Sequence, residues 1–174
     1  MKLKLMLLSI IIFAPFSILA KSPEQVKSAF LYQISKFVEF AKADKNHAMT
    51  FCFYDLKLGV GAILNSTPSL SVNDKAIKII LIDKKQQISE LSRFCDITYI
   101  DETEEDDIIP LWIDTISSDT LTVGESISFL EKGGIAALIQ EGNKIRLYIN
   151  KQQLLRSSFK MQSRLLAVSK FYPN

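Results

Sequence analysis

The sequence predicts an α/β fold: a three-layer sandwich with a mostly parallel, flavodoxin-like sheet and a C-terminal antiparallel hairpin. Short apolar, β-branched runs alternate with amphipathic stretches of helical spacing along most of the chain. Alternation of this kind favours a parallel sheet with helices on both faces. The length of 174 residues suits one domain, and the chain contains no repeat or low-complexity linker.

Residues 1–20 are predicted to be a secretory signal peptide, which leaves one α/β domain over residues 21–174. Lys2 and Lys4 form a short basic region, and the uncharged stretch that follows is 16 residues long, from Leu5 to Ala20. That is short of the roughly 18–20 residues needed to span a bilayer. Cleavage before Lys21 predicts a soluble periplasmic protein, and an uncleaved N-terminal anchor is the alternative.

Composition excludes several classes of function. Without the leader the chain has nineteen basic and nineteen acidic residues, whereas nucleic-acid proteins need an excess of cations to neutralise phosphates. The single histidine, His47, lies in a polar loop and offers no partner for acid–base or metal chemistry. Gly59-Val60-Gly61 lacks the third glycine and the lysine of a phosphate-binding loop. No catalytic residue, cofactor or metal site is therefore predicted.

The first half of the chain opens with a strong helix signal. Ser22 is a cap, Pro23 suits the first helical position, and Gln25 completes a capping box. Apolar residues at helical spacing extend this helix to about Ala43. A polar loop at Asp44–His47 follows. The next predicted elements are a buried strand at Met49–Tyr54, a short helix at Leu58–Asn65, a buried strand at Ala76–Ile82, a helix at Gln86–Phe94 and a strand at Ile97–Ile100.

The second half begins with Asp101–Asp107, which has six acids in seven positions. We expect these residues to open a helix capped by Thr103, while calcium binding is an alternative that lacks the glycine turn of an EF-hand. Pro110 is expected to end or kink that helix, and Trp112 to pack in the core. The remaining predicted elements are a strand at Thr120–Val123, a helix at Glu125–Lys132, hairpin strands at Ile135–Gln140 and Lys144–Ile149, and two helical pieces within Lys151–Lys170, broken at Ser157-Ser158.

The two cysteines predict a disulfide if the chain is exported to an oxidising compartment. A bridge between Cys52 and Cys95 would bring their Cα atoms within roughly 4.4–6.8 Å of each other. The first strand would then lie beside the third, as in the 2-1-3-4-5 order of flavodoxin-like sheets. A redox switch and a thiol oxidoreductase are the alternatives, although the separation of the cysteines is unlike C-x-x-C.

Several segments, taken together and in order, resemble one known family. They are Val26–Tyr32 and Lys36–Phe40 in the opening helix, Cys52, Cys95, Leu121–Gly124, Phe129, Gly133–Ile135, Ile145–Asn150 and Ser163–Leu166. On these segments the chain resembles the YfiR family (HmsC-like) of periplasmic regulators of diguanylate cyclases. Some members carry a second cysteine pair toward the C-terminal half, whereas this chain has no cysteine beyond Cys95.

The resemblance implies a non-enzymatic regulator. It implies binding to the periplasmic sensing domain of an inner-membrane diguanylate cyclase, which restrains the enzyme and lowers cyclic-di-GMP and biofilm formation. It also implies that an outer-membrane lipoprotein or redox stress releases the cyclase from the regulator. Homodimers of the regulator are a further implication. The alternative function is a periplasmic small-ligand-binding sensor, or an adaptor for another membrane signalling protein such as a sensor kinase.

Two regions are candidate partner-binding surfaces, the opening helix and the Gly-Gly/hairpin region. The opening helix carries more aromatic residues than a single core stripe needs, and exposed aromatics are typical of interfaces. The candidate residues are Tyr32, Phe37, Phe40, Gly133, Gly134, Tyr148 and Asn150. The alternative is that Phe30 and Phe37 are core and only Tyr32 and Phe40 are exposed. Capping accounts for Asn150 as well as binding does.

Overall fold

The computed structural model describes residues 21–40, 48–54, 59–82, 94–112 and 118–173. Its helices are α1 (Pro23–Ser35), α2 (Val60–Asn65), α3 (Glu102–Trp112), α4 (Ile127–Glu131), α5 (Lys151–Arg156) and α6 (Ser163–Ala167). Its strands are β1 (Val38–Glu39), β2 (Met49–Tyr54), β3 (Ser71–Val72), β4 (Lys75–Leu81), β5 (Ile97–Ile100), β6 (Leu121–Gly124), β7 (Ala136–Glu141), β8 (Lys144–Asn150), β9 (Lys160–Met161) and β10 (Lys170–Tyr172).

The central sheet has the strand order β10-β8-β7-β6-β5-β2-β4-β3. Neighbours from β4 through β2, β5 and β6 to β7 are parallel, which is the predicted 2-1-3-4-5 order. The predicted hairpin is formed by β7 and β8, which pair antiparallel across a tight turn at Gly142 and Asn143. The predicted fold class is confirmed.

Two cores lie on opposite faces of the sheet. One cluster packs α1 and α2 against the sheet; its members include Leu31, Ile34, Phe51, Phe53, Val60, Leu64 and Ile149. The other packs α3 and α4; its members include Tyr54, Ile100, Ile108, Ile109, Phe129 and Leu130. Every residue of β5 and β6 is buried, as expected for parallel strands covered on both faces.

The disulfide lies between two central strands. Cys52 and Cys95 are bridged with their Cα atoms 5.9 Å apart, within the predicted range, and β2 lies beside β5 as the bridge requires. Both cysteines are buried. A thiolate must reach a sulfur atom to exchange a disulfide, so burial favours the structural role over the redox switch.

The opening helix begins as predicted but ends earlier. The Gln25 N–H donates to Ser22 Oγ and the Ser22 N–H donates to Gln25 Oε1, which completes the capping box. The prediction of a helix to about Ala43 is wrong, because α1 ends at Ser35 and β1 pairs antiparallel with β9. Val38 is buried in that pairing. A contact with a distant strand has overridden the local helical spacing.

The acidic helix differs from prediction at its start. Asp101, and not Thr103, caps α3: its Oδ1 accepts the Thr103 N–H at 3.0 Å. Pro110 lies inside the helix, which continues to Trp112, so Pro110 does not end it, and a kink there stays a prediction. Ile108 and Ile109 are buried against the sheet, and we attribute the continuation of the helix to this packing, which offsets the backbone hydrogen bond that proline removes.

The edges of the sheet differ most from expectation. The strand at β4 is not fully buried: Lys78 is exposed and Leu81 is 46% exposed. Only the two-residue strand β3 lies beyond it in the sheet. At the other edge β10 was not predicted; it adds to β8 in parallel. The predicted loop at Asp44–His47, the side chain of Trp112 and all of the predicted helix at Gln86–Phe94 except Phe94 lie outside the described residues.

Candidate partner-binding surface

A buried ion pair fixes the position of α1 on the sheet. Lys27 Nζ lies 2.6 Å from Glu125 Oε2, and the two side chains are only 12% and 6% exposed. The Tyr99 hydroxyl donates to the other oxygen of Glu125. Removing one partner of such a pair leaves an uncompensated buried charge, which is strongly destabilising. The contact therefore joins α1 to β5 and to the turn after β6, and fixes which face of α1 meets solvent.

A second carboxylate extends this contact to α3. Glu105 is buried and accepts a hydrogen bond of 2.7 Å from the Glu125 N–H and another from the Ser126 hydroxyl. Burial raises the pKa of Glu105, the two hydrogen bonds lower it, and the neighbouring carboxylates of Glu102 and Glu125 raise it further. Among the described residues, Glu105 and Glu125 thus occupy the carboxyl end of the sheet at β5 and β6, where flavodoxin-like proteins bind ligands.

The outer face of α1 carries an apolar groove of about 320 Å³. It is lined by Val26, Ala29, Phe30 and Gln33, with Lys21 just before the helix. The four helical positions follow i, i+3, i+4, i+7 spacing and so form one stripe. Phe30 is 37% exposed, so the alternative that placed Phe30 in the core is wrong. The groove is therefore an apolar surface that α1 presents to solvent.

The other three aromatic candidates of this region are half-buried. The Tyr32 hydroxyl donates to the Ser71 carbonyl at 2.9 Å, and Lys36 Nζ lies 4.0 Å from the centre of its ring. Phe37 and Phe40 pack against the main core, and the Phe40 ring centre is 5.5 Å from that of Phe159. These residues join α1 and β1 to the rest of the domain while leaving part of each ring at the surface.

The Gly-Gly candidates are explained first by the fold. Gly133 has φ +99°, a left-handed conformation that favours glycine at the end of a helix. Gly134 is buried, and a Cβ added there would lie 2.0 Å from Cε1 of Phe129, whose ring is itself fully buried. Both glycines let the chain leave α4 and enter β7 against that ring.

The two hairpin candidates, Asn150 and Tyr148, are also engaged in hydrogen bonds within the fold. Asn150 is buried; its Nδ2 donates to the Leu130 carbonyl at 2.9 Å and its Oδ1 accepts the Gln153 N–H, which caps α5. Tyr148 is half-buried and its hydroxyl donates to Glu141. The candidate set therefore divides into half-buried aromatics in and after α1 and hairpin residues that mainly hold other elements in place.

Neither the groove nor the buried carboxylates could be predicted from local sequence patterns. Val26, Ala29, Phe30 and Ile34 all belong to the apolar series that predicts the opening helix, and spacing alone does not show which of them meet the sheet. Lys27 and Glu125 lie almost a hundred positions apart, and no local pattern indicates that they meet.

Among the described residues, no group of three or more His, Cys, Asp or Glu side chains could hold a metal ion. None of the helices in the described ranges is both long and apolar enough to cross a bilayer.

Comparison with known proteins decides the family. The model of the YfiR/HmsC-like family matches residues 24–170. The chain belongs to the YfiR/HmsC-like family. This is a family of regulatory domains, and the match covers almost all of the folded domain, including α1 and the hairpin. No protein with a curated description matches the sequence.

Two solved structures share the fold of this YfiR/HmsC-like chain. One is a conserved domain protein from Vibrio cholerae O1 biovar El Tor, with a TM-score of 0.57, 13% identity and alignment over 83% of this chain and 59% of the other. The second is an ABC domain from Streptococcus pneumonia in complex with L-Trp, with a TM-score of 0.53, 11% identity and alignment over 80% and 58%. The chain thus spans less than two thirds of each, and at these identities the likeness establishes the fold alone.

Proposed function

We propose that the chain is a periplasmic, non-enzymatic regulator that binds the sensing domain of an inner-membrane diguanylate cyclase and holds the enzyme inactive. The observation that carries this proposal is the family match over residues 24–170. Residues 1–20 act as the leader that directs export. To inhibit across the membrane, the regulator must bind one conformation of the cyclase more tightly than the other, because a ligand shifts an equilibrium only by its differential affinity.

The contact surface in this proposal is the α1 groove around Phe30, and the half-buried Tyr32, Phe37 and Phe40 are further candidates for contact with the partner. Aromatic side chains in a groove are the residues that most often carry binding energy at interfaces. The ion pair of Lys27 with Glu125 supports the proposal, since it holds the groove in a fixed orientation. Gly134 and Asn150 contribute by holding the hairpin, and Gly133 and Tyr148 lie beside it. Homodimerisation and release by an outer-membrane lipoprotein belong to the same proposal.

Cellular cyclic-di-GMP is the first measurement that tests this function. Deleting the gene should raise the cyclic-di-GMP level, and the full chain should restore the low level. A chain without residues 1–20 should fail to restore it, because it stays in the cytoplasm. An unchanged level on deletion would contradict restraint of a cyclase in that cell, and rescue by the leaderless chain would contradict action in the periplasm.

The contact surface is tested with two phenylalanines of similar chemistry and different position. Phe30 lines the groove, whereas Phe94 is 70% exposed just before Cys95. We expect Phe30→Asp to weaken binding to the purified periplasmic domain of the cyclase at least tenfold, while Phe94→Asp binds like the wild type. Equal losses in both variants, or a loss only in Phe94→Asp, would show that the α1 groove is not the contact.

A second candidate function, a small-ligand sensor or adaptor for another signalling protein, is favoured by one observation. The Streptococcus domain that shares the fold was solved with L-Trp, and a groove of about 320 Å³ is within the range of small-molecule sites. Calorimetric titration with L-Trp and mass spectrometry of the natively purified protein test this candidate. Saturable binding abolished by Phe30→Asp would favour it, and no heat together with no co-purified compound would argue against it.

A further inference from the structure

The charges of this protein are divided unevenly along the chain. Residues 144–174 contain seven lysines and arginines and no acid, whereas residues 21–143 contain twelve basic and nineteen acidic residues. All seven C-terminal cations are exposed: Lys144, Arg146, Lys151, Arg156, Lys160, Arg164 and Lys170. Positive potential is therefore concentrated on the part of the surface that β8, α5, α6 and β10 form.

The helices α5 and α6 lie on one side of the sheet, whereas Lys144, Arg146 and Lys170 share the face of Tyr148 and point to the other side. Leu154 of α5 and Leu165 of α6 both pack against the core that also contains Ile149. Phe171 of β10 is in register with Ile149, and residues in register on paired strands point to the same face. The two short helices and Phe171 thus lie on the same face of the sheet, at the edge that β8 and β10 form.

Exposed apolar side chains are interleaved with these cations. Leu155 is 78% exposed, Val168 74% and Phe171 36%. Leu155 follows Lys151 by four residues and Val168 follows Arg164 by four, a spacing that places each pair on one side of its helical turn. Lys151 Nζ lies 5.9 Å from the centre of the Phe171 ring. We call this set the C-terminal basic surface: Lys151, Leu155, Arg164, Val168 and Phe171.

Three of the described acids near these elements are already engaged: Glu39 accepts a hydrogen bond from Gln162 at the cap of α6, Asp119 accepts one from the Ser158 hydroxyl after α5, and Glu141 lies with Lys170 on the opposite face of the sheet. Glu141 Oε1 accepts a hydrogen bond of 2.6 Å from Lys170 Nζ, and Arg146 Nε is 3.9 Å from Glu141 Oε2. The hydrogen bond from Lys170, followed by that from Tyr148, lowers the pKa of Glu141, which therefore stays ionised at neutral pH. Lys151 and Arg164 form no ion pair with any described acid, so their charges are available to an external anion.

We propose that the C-terminal basic surface binds anionic phospholipid headgroups and docks the exported domain on the outer leaflet of the inner membrane. Cations close to an anionic bilayer each strengthen binding by about fivefold, and exposed leucine, valine and phenylalanine insert at the headgroup boundary. A bilayer is the favoured occupant because the exposed Leu155 and Val168 are interleaved with cations that form no ion pair in the described part of the chain, which is the pattern of a surface that inserts apolar side chains between anionic headgroups. The proposal goes beyond the cyclase contact and does not depend on it.

Binding to lipid vesicles tests the proposal, with chain 21–174, which contains every helix and strand described. Vesicles of phosphatidylglycerol and phosphatidylethanolamine should bind the protein at low salt, and vesicles of phosphatidylcholine should bind it at least tenfold more weakly. Raising the salt concentration should weaken the binding, because the attraction between charges is screened. Equal binding to both kinds of vesicle, or none to either, would overturn the proposal.

Matched variants distinguish a defined surface from net charge. The double variant Lys151→Glu with Arg164→Glu should lower vesicle binding at least tenfold. The control variant Lys78→Glu with Lys132→Glu makes the same change in net charge at exposed positions elsewhere and should keep most of the binding. Leu155→Ser with Val168→Ser should weaken binding several-fold, and Leu81→Ser with Leu111→Ser should not. Equal losses in the two charge pairs would overturn the proposal. The proposal would also be overturned if the double variant Lys151→Glu with Arg164→Glu bound vesicles like the wild type but no longer bound the cyclase domain. The surface would then be a site for an acidic protein.

Discussion

The α1 region and the Gly133–Asn150 region were both predicted to be partner-binding surfaces, and the two regions serve different roles in the structure. On α1, Phe30 lies exposed in a groove. In the other region, Gly134 and Asn150 are buried and contact Phe129 and Leu130. The comparison teaches that a residue shared with a family does not by itself indicate binding. Burial and hydrogen bonding decide whether the residue serves the fold or remains available to a partner.

The largest expected effect on stability is at the buried glycine of the Gly133–Asn150 region. Gly134→Ala should lower the free energy of unfolding by about 3 kcal/mol, at the upper end of overpacking costs, because the new Cβ would overlap the enclosed ring of Phe129. Urea denaturation measures this effect. The double variant Gly134→Ala with Phe129→Leu should lose less stability than the sum of the two single variants, because leucine leaves room for the new Cβ. Wild-type stability of Gly134→Ala would show that the region is looser than its packing indicates.

The next effect concerns the hairpin asparagine. Asn150→Ala should lower the free energy of unfolding by about 2 kcal/mol, because α5 loses its cap and the buried Leu130 carbonyl loses a donor. Asn150→Asp keeps the oxygen that accepts the Gln153 N–H but removes the Nδ2 donor, and so separates the two contributions. Thermal unfolding of both variants checks this. Loss of cyclase binding without loss of stability in Asn150→Ala would return this residue to the binding surface.

A smaller effect is expected in the pH dependence of folding stability, through the buried carboxyl group that lies beside the ion pair of α1. Burial raises the pKa of Glu105 in the folded protein above its ordinary value of 4.5. As the pH rises, Glu105 therefore ionises first in the unfolded chain, and the free energy of unfolding falls between the pKa of the unfolded chain and the pKa of the folded protein. Glu105→Gln cannot ionise and should show a smaller fall, measured by urea denaturation across that pH range. Asp74→Asn removes one negative charge from an exposed turn and should leave the profile unchanged. Identical profiles for Glu105→Gln and the wild type would contradict the assignment.

The smallest effect on stability is expected in the α1 groove, where the effect on binding is largest. Phe30→Asp should lower the free energy of unfolding by about 1 kcal/mol, less than the substitutions at enclosed positions, because the ring is already 37% exposed. Circular dichroism during urea unfolding measures it beside the cyclase-binding assay. A stability loss as large as that of Gly134→Ala would place Phe30 in the core and remove the contrast between the two regions.

Much of the fold could be predicted because its signals are local. The capping box at Ser22 and Gln25 and the turn at Gly142-Asn143 involve residues two or three positions apart. The apolar runs at Met49–Tyr54 and Ile97–Ile100 indicate buried strands. The two cysteines then supplied one long-range constraint, and it was enough to place the first strand beside the third.

The candidate site was less predictable. Helical spacing in α1 marks the apolar stripes, but two of them exist, and the sequence does not show which one meets the sheet. The ion pair between Lys27 and Glu125 selects the orientation, and that contact forms only when the sheet brings α1 to the end of β6. The same holds for the end of α1, where Glu39 and Gln162, 123 positions apart, contact each other beside the β1–β9 pair.

The sequence by itself determined the α/β class, the parallel strand order, the start of α1, the hairpin and the excess of positive charge in residues 144–174. Only the tertiary structure decided which aromatics are exposed, where α1 ends and that β10 extends the sheet. The physical reason is the range of the interactions. Caps, turns and periodicity act within a few residues, whereas burial and strand pairing depend on the closure of the whole chain, which can override a local preference of a few tenths of a kcal/mol per residue.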